Sequence, residues 1–175
     1  MILWAWLTRL PWLIMLFNIS FASPQKVLLL GDSISSAYGM SIEQGWVSLW
    51  QKKLQQVNAG VQVINASEAG LTTAGAKARL PRLLEKYSPG KLILALGGND
   101  ILQGRDAEIV FTNFSEMIVE ADKVGCKVLL LGVRVFPNFG KVFQQSYEDM
   151  YRRLEKRYAI LLEPAMLFGV GEHLA

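Results

Sequence analysis

Three short polar segments of this sequence carry residues that could catalyse acyl transfer. A serine hydroxyl is a poor nucleophile until a base removes its proton, and the oxyanion formed in the reaction needs preorganised hydrogen-bond donors about 3 Å away. Ser33 can supply the nucleophile, and the Gly70 backbone amide and the Asn99 side-chain amide can supply donors. Glycine suits this role because its amide approaches a substrate with no side chain in the way. Gly-Asp-Ser at 31–33 is also common in a turn with a helix cap, which leaves a purely structural interpretation open.

The segments 31–33, 67–70 and 97–100 each follow a short apolar run that is typical of a buried strand. Strands are predicted at 27–30, 61–66, 92–96, 127–133 and 160–162. Helices are predicted between them, at about 46–54, 76–87, 110–125 and 147–158. Alternating strands and helices imply right-handed crossovers and a parallel sheet, whose carboxyl ends meet in one crevice. We therefore predict an α/β chain with a flavodoxin-like three-layer α/β/α sandwich.

Some details of the predicted helices depend on single residues. The spacing predicts an inner face of the first helix made of Trp46, Leu49, Trp50 and Leu54. Pro81 is expected to kink or restart the second helix, because proline lacks an amide hydrogen and clashes with the preceding turn. The tyrosines of the last helix are interpreted as packing groups rather than ligand contacts; they are Tyr147, Tyr151 and Tyr158.

The composition fits one globular domain and excludes several functional classes. The chain has 175 residues, of which 51% are hydrophobic, and its net charge of +3 is spread without a Lys/Arg-rich run. This charge is too diffuse to indicate nucleic-acid binding. The single cysteine, Cys126, can form no intramolecular disulfide, and with one histidine in the sequence no zinc site is expected. We expect no metal and no cofactor.

Residues 1–22 have the features of a secretory signal peptide. Arg9 precedes an apolar core, and the small residues Ser20 and Ala22 flank Phe21. Spanning a bilayer takes about 20 apolar residues, and the stretch after Arg9 offers only about a dozen. An uncleaved membrane anchor is the alternative. We expect cleavage after Ala22, a periplasmic or secreted protein with no stable membrane span, and a catalytic domain over 23–175.

The polar segments, taken together, resemble the sequence blocks of a known family. GDSISSAYGM, NASEAGLTTAGAKARLP and LALGGNDILQG are similar to the first three blocks of the SGNH or GDSL hydrolases, in the branch of the periplasmic thioesterase I, arylesterase and lysophospholipase. The segment RVFPNFG at 134–140 resembles that branch's substrate-side loop. The resemblance implies the family's fold, Ser33 as nucleophile, and an oxyanion hole in which the Ser33 amide joins Gly70 and Asn99.

The sequence departs from the family at its C-terminal block. The family completes its catalytic triad with an Asp-x-x-His pair, usually followed by proline, but the sole histidine, His173, has Val170 three residues before it. We expect a C-terminally truncated chain, in which the missing block and a terminal helix covering one sheet face begin close after Ala175. A rival hypothesis makes His173 the base in an altered geometry.

The expected function is hydrolysis of a small acyl ester or thioester through an acyl-enzyme on Ser33. Without its base, the 175-residue chain alone is expected to be nearly inactive. The alternative is an exported binding module without catalytic activity, which an Asp-x-x-His pair downstream in the reading frame would contradict. A nucleotide-binding flavodoxin-like protein ranks last, because neither G-x-G-x-x-G nor G-x-x-x-x-G-K-[ST] occurs.

Overall fold

A five-stranded parallel sheet forms the centre of residues 24–167, the part of the chain that this computed structural model describes. The strands are β1 Gln25–Gly31, β2 Val61–Asn65, β3 Lys91–Ala95, β4 Lys127–Leu131 and β5 Leu161–Glu163. The helices are α1 Trp46–Gln56, α2 Thr73–Tyr87, α3 Gly98–Leu102, α4 Ala107–Lys123 and α5 Lys141–Arg157, with 3-10 helices at Ile42–Gln44 and Pro137–Phe139. The strand order β2-β1-β3-β4-β5 is that of flavodoxin-like folds, which confirms the predicted fold class.

The strand register brings the carboxyl ends of β1 to β4 to one edge of the sheet. Gly31 at the end of β1 pairs with Ala95 of β3, and Ala95 pairs with Leu131 of β4. On the other side of β1, Leu29 pairs with Asn65 of β2. The polar segments predicted from the sequence follow these positions directly, so they emerge on the same edge as expected.

The two faces of the sheet are packed differently. Alternate strand residues such as Leu28, Leu30 and Leu94 are fully buried against α2, α4 and α5. On the opposite face, α1 is the described helix that packs on β1, β2 and β3, through Val47 and the stacked rings of Trp46 and Trp50. The β4–β5 end of this second face is more open; Leu129 and Leu131 are half-buried there, and Leu161 is exposed.

The predicted inner face of α1 is wrong at one position. Leu49 is 52% exposed, whereas Val47, which the prediction left out, is 5% exposed. At 100° per residue, Val47, Trp50 and Leu54 lie within one narrow stripe, and Leu49 points away from it. Trp46 and Trp50 are half-buried against the sheet, as the spacing predicts.

The second helix begins earlier than predicted and is not interrupted. α2 starts at Thr73, where the side chain of the N-cap residue Thr72 accepts a hydrogen bond from the Gly75 amide. Pro81 lies inside the helix, which continues to Tyr87, so the predicted restart did not occur. Pro81 is exposed, and the one carbonyl that loses its helical partner can be hydrated at a helix surface.

Among residues 24–167, no helix is both long and apolar enough to cross a bilayer. The same residues contain no group of three or more His, Cys, Asp or Glu side chains that could hold a metal ion. The predicted signal peptide at 1–22 and His173 lie outside the described residues.

Candidate active site

Ser33 lies in a hydrogen-bonded turn that begins where β1 ends. The carbonyl of Asp32 accepts hydrogen bonds from the amides of Ser35 and Ser36, at 3.1 and 2.9 Å, and the carbonyl of Ser33 accepts one from the Tyr38 amide at 3.2 Å. These bonds fix the backbone on both sides of the Ser33 side chain, which is half-buried at the sheet edge. The serine is therefore held by its main chain at the place where the sequence predicted a nucleophile.

Asp32 anchors this turn with a buried carboxylate. One carboxylate oxygen accepts a hydrogen bond from the Ile34 amide at 3.1 Å, and the side chain is only 4% exposed. Burial raises the pKa of Asp32 above its ordinary value of 3.8, against the opposing effect of the bond from Ile34. A Cβ atom on Gly98 would lie 3.3 Å from Asp32 Oδ2, so the absence of a side chain at Gly98 lets the turn approach the segment after β3.

The loop that carries Gly70 is bonded to the Ser33 turn. The Asn65 side chain donates to the Ser35 carbonyl at 2.7 Å, and the Glu68 amide donates to the Gly31 carbonyl at 3.0 Å. Gly70 is exposed and has a φ of +77°, a left-handed conformation that glycine adopts without strain. The loop thus presents the Gly70 backbone beside the turn of the predicted nucleophile.

Asn99 lies in the first turn of the short helix α3, after the left-handed residue Gly97. Its Nδ2 donates to the Leu71 carbonyl, one residue beyond Gly70, at 3.1 Å. A side-chain amide has two N–H donors, so this bond orients the group and leaves a second donor for another acceptor. Ser33, Gly70 and Asn99 are thereby carried by three segments that hydrogen bonds and close packing join at one sheet edge.

An apolar cleft of about 650 Å³ opens next to the Ser33 turn. Ile34, the residue after Ser33, forms one wall, and the carboxyl end of β4 with the 134–140 loop forms much of the rest. The side chains at its mouth include Ile34, Phe136 and Leu167, which are 41%, 61% and 43% exposed. The sequence resemblance predicts that this loop lies on the substrate side, and residues 134–137 of the loop line the cleft.

The tyrosines of α5 are packing groups, as predicted. The Tyr147 hydroxyl donates to the Arg105 carbonyl at 2.8 Å, and the Tyr151 hydroxyl accepts from the Val133 amide at 3.1 Å. Burial raises the pKa of Tyr151 to about 12 and raises that of Tyr147 well above its usual range, so both are neutral at physiological pH. Tyr158 is half-buried and caps the end of α5.

Comparison with known proteins agrees with this architecture. Residues 29–167 match the sequence profile of the GDSL-like Lipase/Acylhydrolase family. The chain belongs to this family. Esterase TesA of Pseudomonas aeruginosa is 40% identical over 150 residues, covering 86% of this chain and 75% of that protein. Thioesterase 1/protease 1/lysophospholipase L1 of Escherichia coli K12 is 31% identical over 157 residues, covering 89% and 74%.

A solved structure supports the same family. The crystal structure of TesA superposes with a TM-score of 0.81 at 40% sequence identity, covering 84% of this chain and 82% of that one. The family profile and the esterase relatives identify this chain as a serine ester hydrolase of the GDSL type.

Several residues that shape the site were not assigned roles from the sequence. Asp100 and Thr73 are fully buried and hydrogen-bonded to each other, and Asn113 of α4 joins them. Asn113 carried a usable signal, because a polar residue three positions after Val110 interrupts the apolar face of its helix. Asp32 and Asp100 lay within the polar segments but were not distinguished from ordinary turn residues.

Proposed function

We propose that this serine ester hydrolase cleaves carboxylic esters or thioesters of acyl chains through an acyl-enzyme on Ser33. The oxyanion is bound by the amides of Ser33 and Gly70 and by the Asn99 side chain. The observation that carries the proposal is the hydrogen-bonded junction of the three segments, above all the bond that directs the Asn99 amide to the Gly70 loop. Such preorganised donors stabilise charge that develops only during the reaction.

The reaction proceeds in two acyl transfers. A base accepts the Ser33 hydroxyl proton as Oγ attacks the acyl carbonyl carbon, and the carbonyl electrons move onto the oxyanion. Collapse of this intermediate breaks the bond to the leaving group, which departs as an alcohol or thiol after taking that proton. Water then attacks the acyl-enzyme in the same way, which releases the carboxylic acid and restores Ser33.

The base is proposed to lie outside residues 24–167, a range without histidine. His173 is not assigned this role, because Val170 stands where the family's Asp-x-x-His pair has its aspartate. Asp32 is also unsuited, since its carboxylate is directed to the Ile34 amide and toward Gly98.

The substrate class follows from the cleft and from the relatives. The cleft, which the Ser33 turn reaches through Ile34, is lined largely by apolar side chains, which suits the hydrocarbon part of an acyl chain. The Escherichia coli relative is named as a thioesterase and a lysophospholipase, and the Pseudomonas aeruginosa relative as an esterase. Both ester and thioester leaving groups are therefore included in the proposal.

Export is part of the same proposal. The order of Arg9, an apolar core and small residues at 20 and 22 supports cleavage after Ala22 and a periplasmic or secreted enzyme. Intact mass of the protein recovered from the periplasm is expected to show Ser23 at the N-terminus. A dominant species that still begins at Met1 would support the membrane anchor.

The proposed chemistry is tested with steady-state hydrolysis of a p-nitrophenyl ester and of an acyl thioester by the full-length gene product. Ser33→Ala is expected to lower kcat for both by up to roughly 10⁶, the cost of removing a catalytic nucleophile. Ser41→Ala is the matched control, because Ser41 is exposed and its side chain caps no helix. His173→Ala is expected to stay within twofold of wild type. Loss of activity in His173→Ala would assign the base to His173 instead.

A further inference from the structure

A buried chain of three polar side chains lies behind the two proposed oxyanion donors. The Thr73 amide donates to Asp100 Oδ2 at 2.9 Å, and the Thr73 hydroxyl donates to Asp100 Oδ1 at 2.7 Å. The Asn113 side chain donates to the Thr73 hydroxyl oxygen at 3.0 Å. We name Thr73, Asp100 and Asn113 the Asp100 bridge. Its members are 0%, 0% and 5% exposed.

The bonding pattern of the bridge has a fixed direction. The Thr73 hydroxyl has one hydrogen, which it gives to Asp100, so it can only accept from Asn113. Both carboxylate oxygens of Asp100 therefore have a donor, and the bond to the hydroxyl is of the short, charge-assisted kind. Burial of a carboxylate is costly unless it is bonded in this way, so the three residues form a unit that loses stability when one member is changed.

The bridge joins two segments that the sheet does not join. Strands β2 and β3 are not neighbours, since β1 lies between them. The spacing between the loop after β2 and the helix after β3 is thus not set by strand pairing. Thr73 is the first residue of α2 and follows Gly70 by three positions, and Asp100 directly follows Asn99 in α3. A bond between Thr73 and Asp100 acts on both proposed donors at once.

We propose that the Asp100 bridge positions the Gly70 amide relative to the Asn99 side-chain amide, and so sets the geometry of the oxyanion hole. The proposal rests on the oxyanion roles given to Gly70 and Asn99 in the proposed function. Thr73, Asp100 and Asn113 are positioning residues, because each acts through the segments that carry the donors. Donor placement matters mainly when the oxyanion forms, so disturbance of the bridge lowers kcat and leaves KM nearly unchanged.

Thr73→Val removes the hydroxyl with little change of shape and keeps the amide bond to Asp100. In the full-length gene product we expect kcat to fall roughly 10- to 10²-fold at near-constant KM, since a misplacement of about 1 Å can cost 10² in rate. Thr73→Ser retains the hydroxyl and is expected to recover most of kcat. Thr112→Val is the matched control, because the Thr112 hydroxyl only donates to the Glu108 carbonyl on the exposed side of α4.

A second variant and a mutant cycle make the test decisive. Asn113→Leu removes the other end of the bridge and is expected to lower kcat in the same direction, with folding verified by thermal melting. In the cycle with Asn99→Ala, the loss of kcat from Thr73→Val is expected to be smaller than in wild type, because one of the two donors whose relative position the bridge sets is absent. Losses of kcat that multiply fully in the double variant would overturn the positioning role of the bridge and leave the oxyanion assignment intact. The same holds for an unchanged kcat in Thr73→Val while Asn99→Ala is impaired. An unchanged kcat in Asn99→Ala overturns the oxyanion assignment on which the bridge rests.

Discussion

Gly70 combines an unusual backbone conformation with open space around it. Its φ is +77°, and a Cβ atom there would have no neighbour within 4 Å, so the conformation and not crowding calls for glycine. Gly60 has the same combination, with a φ of +59°, directly before β2, at the end of the strand opposite the carboxyl edge. Gly60 is therefore a suitable control for Gly70, because only Gly70 carries a proposed oxyanion donor.

Gly70→Ala and Gly60→Ala are expected to lower the free energy of unfolding by a similar amount, about 1 kcal/mol, because each places an alanine in a left-handed conformation. Only Gly70→Ala is expected to lower kcat as well, since its amide moves when the loop relaxes. Urea unfolding and ester hydrolysis of both variants make the comparison. Equal effects of the two substitutions on kcat would remove Gly70 from the oxyanion hole.

Asp32 is expected to make the free energy of unfolding depend on pH. Burial raises its pKa in the folded state above the ordinary 3.8, so the folded protein binds the proton more tightly than the unfolded chain does. The free energy of unfolding contributed by this group therefore decreases as pH rises from about 3.8 through the folded-state pKa.

Asp32→Asn keeps an oxygen for the Ile34 amide and removes the ionisation. We expect the stability of the variant, relative to wild type, to be higher at pH 7 than at pH 3. Urea unfolding of both proteins at the two pH values measures this difference. A stability difference independent of pH, or one that shifts in favour of wild type between pH 3 and pH 7, contradicts the raised pKa.

At the scale of elements, α1 shows which features of a helix its apolar spacing can predict. Its existence and length follow from the spacing of its apolar residues, but Trp46, Val47, Leu49, Trp50 and Leu54 offer more than one apolar stripe. The contacts with the sheet select the stripe that contains Val47, because that is the one that covers Val27 and Leu29 of β1. Packing against the sheet therefore determines which apolar stripe of α1 is buried, and the sequence of the helix alone does not.

This choice is testable by a pair of alanine substitutions. Val47→Ala is expected to lower the free energy of unfolding by roughly 1–2 kcal/mol, since two buried methyl groups are lost at about 0.8 kcal/mol each. Leu49→Ala is expected to stay within about 0.5 kcal/mol of wild type, as surface substitutions usually do. Urea unfolding compares them, and a larger loss of stability in Leu49→Ala would support an inner face that contains Leu49.

The strand ends were predictable and the bonds between them were not. Apolar runs that stop at Gly31 and before Gly97 locate the strand ends and the polar segments after them, because a short apolar run bounded by glycine is typical of a buried strand. The bonds from Asn99 to Leu71 and from Thr73 to Asp100 connect residues 28 and 27 positions apart. Such contacts depend on the three-dimensional path of both segments. The residue types at these positions do not indicate which residues will be hydrogen-bonded to each other.

At the scale of the whole molecule, the parallel sheet explains why one edge carries the chemistry. Three strands in register deliver the Ser33 turn, the Gly70 loop and the Asn99 helix to the same end, and the fourth delivers the loop that lines the cleft. The opposite end of the sheet contributes no group to this arrangement among residues 24–167. Fold and proposed site are thus consequences of the same strand order.

The central claim, an acyl-enzyme on Ser33, is tested most directly by covalent labelling of the full-length gene product with a fluorophosphonate. After digestion, mass spectrometry is predicted to show one adduct per chain, on the peptide that contains Ser33. Labelling should disappear in Ser33→Ala and persist in Ser41→Ala. An adduct on any other residue, or labelling that survives Ser33→Ala, would contradict the account.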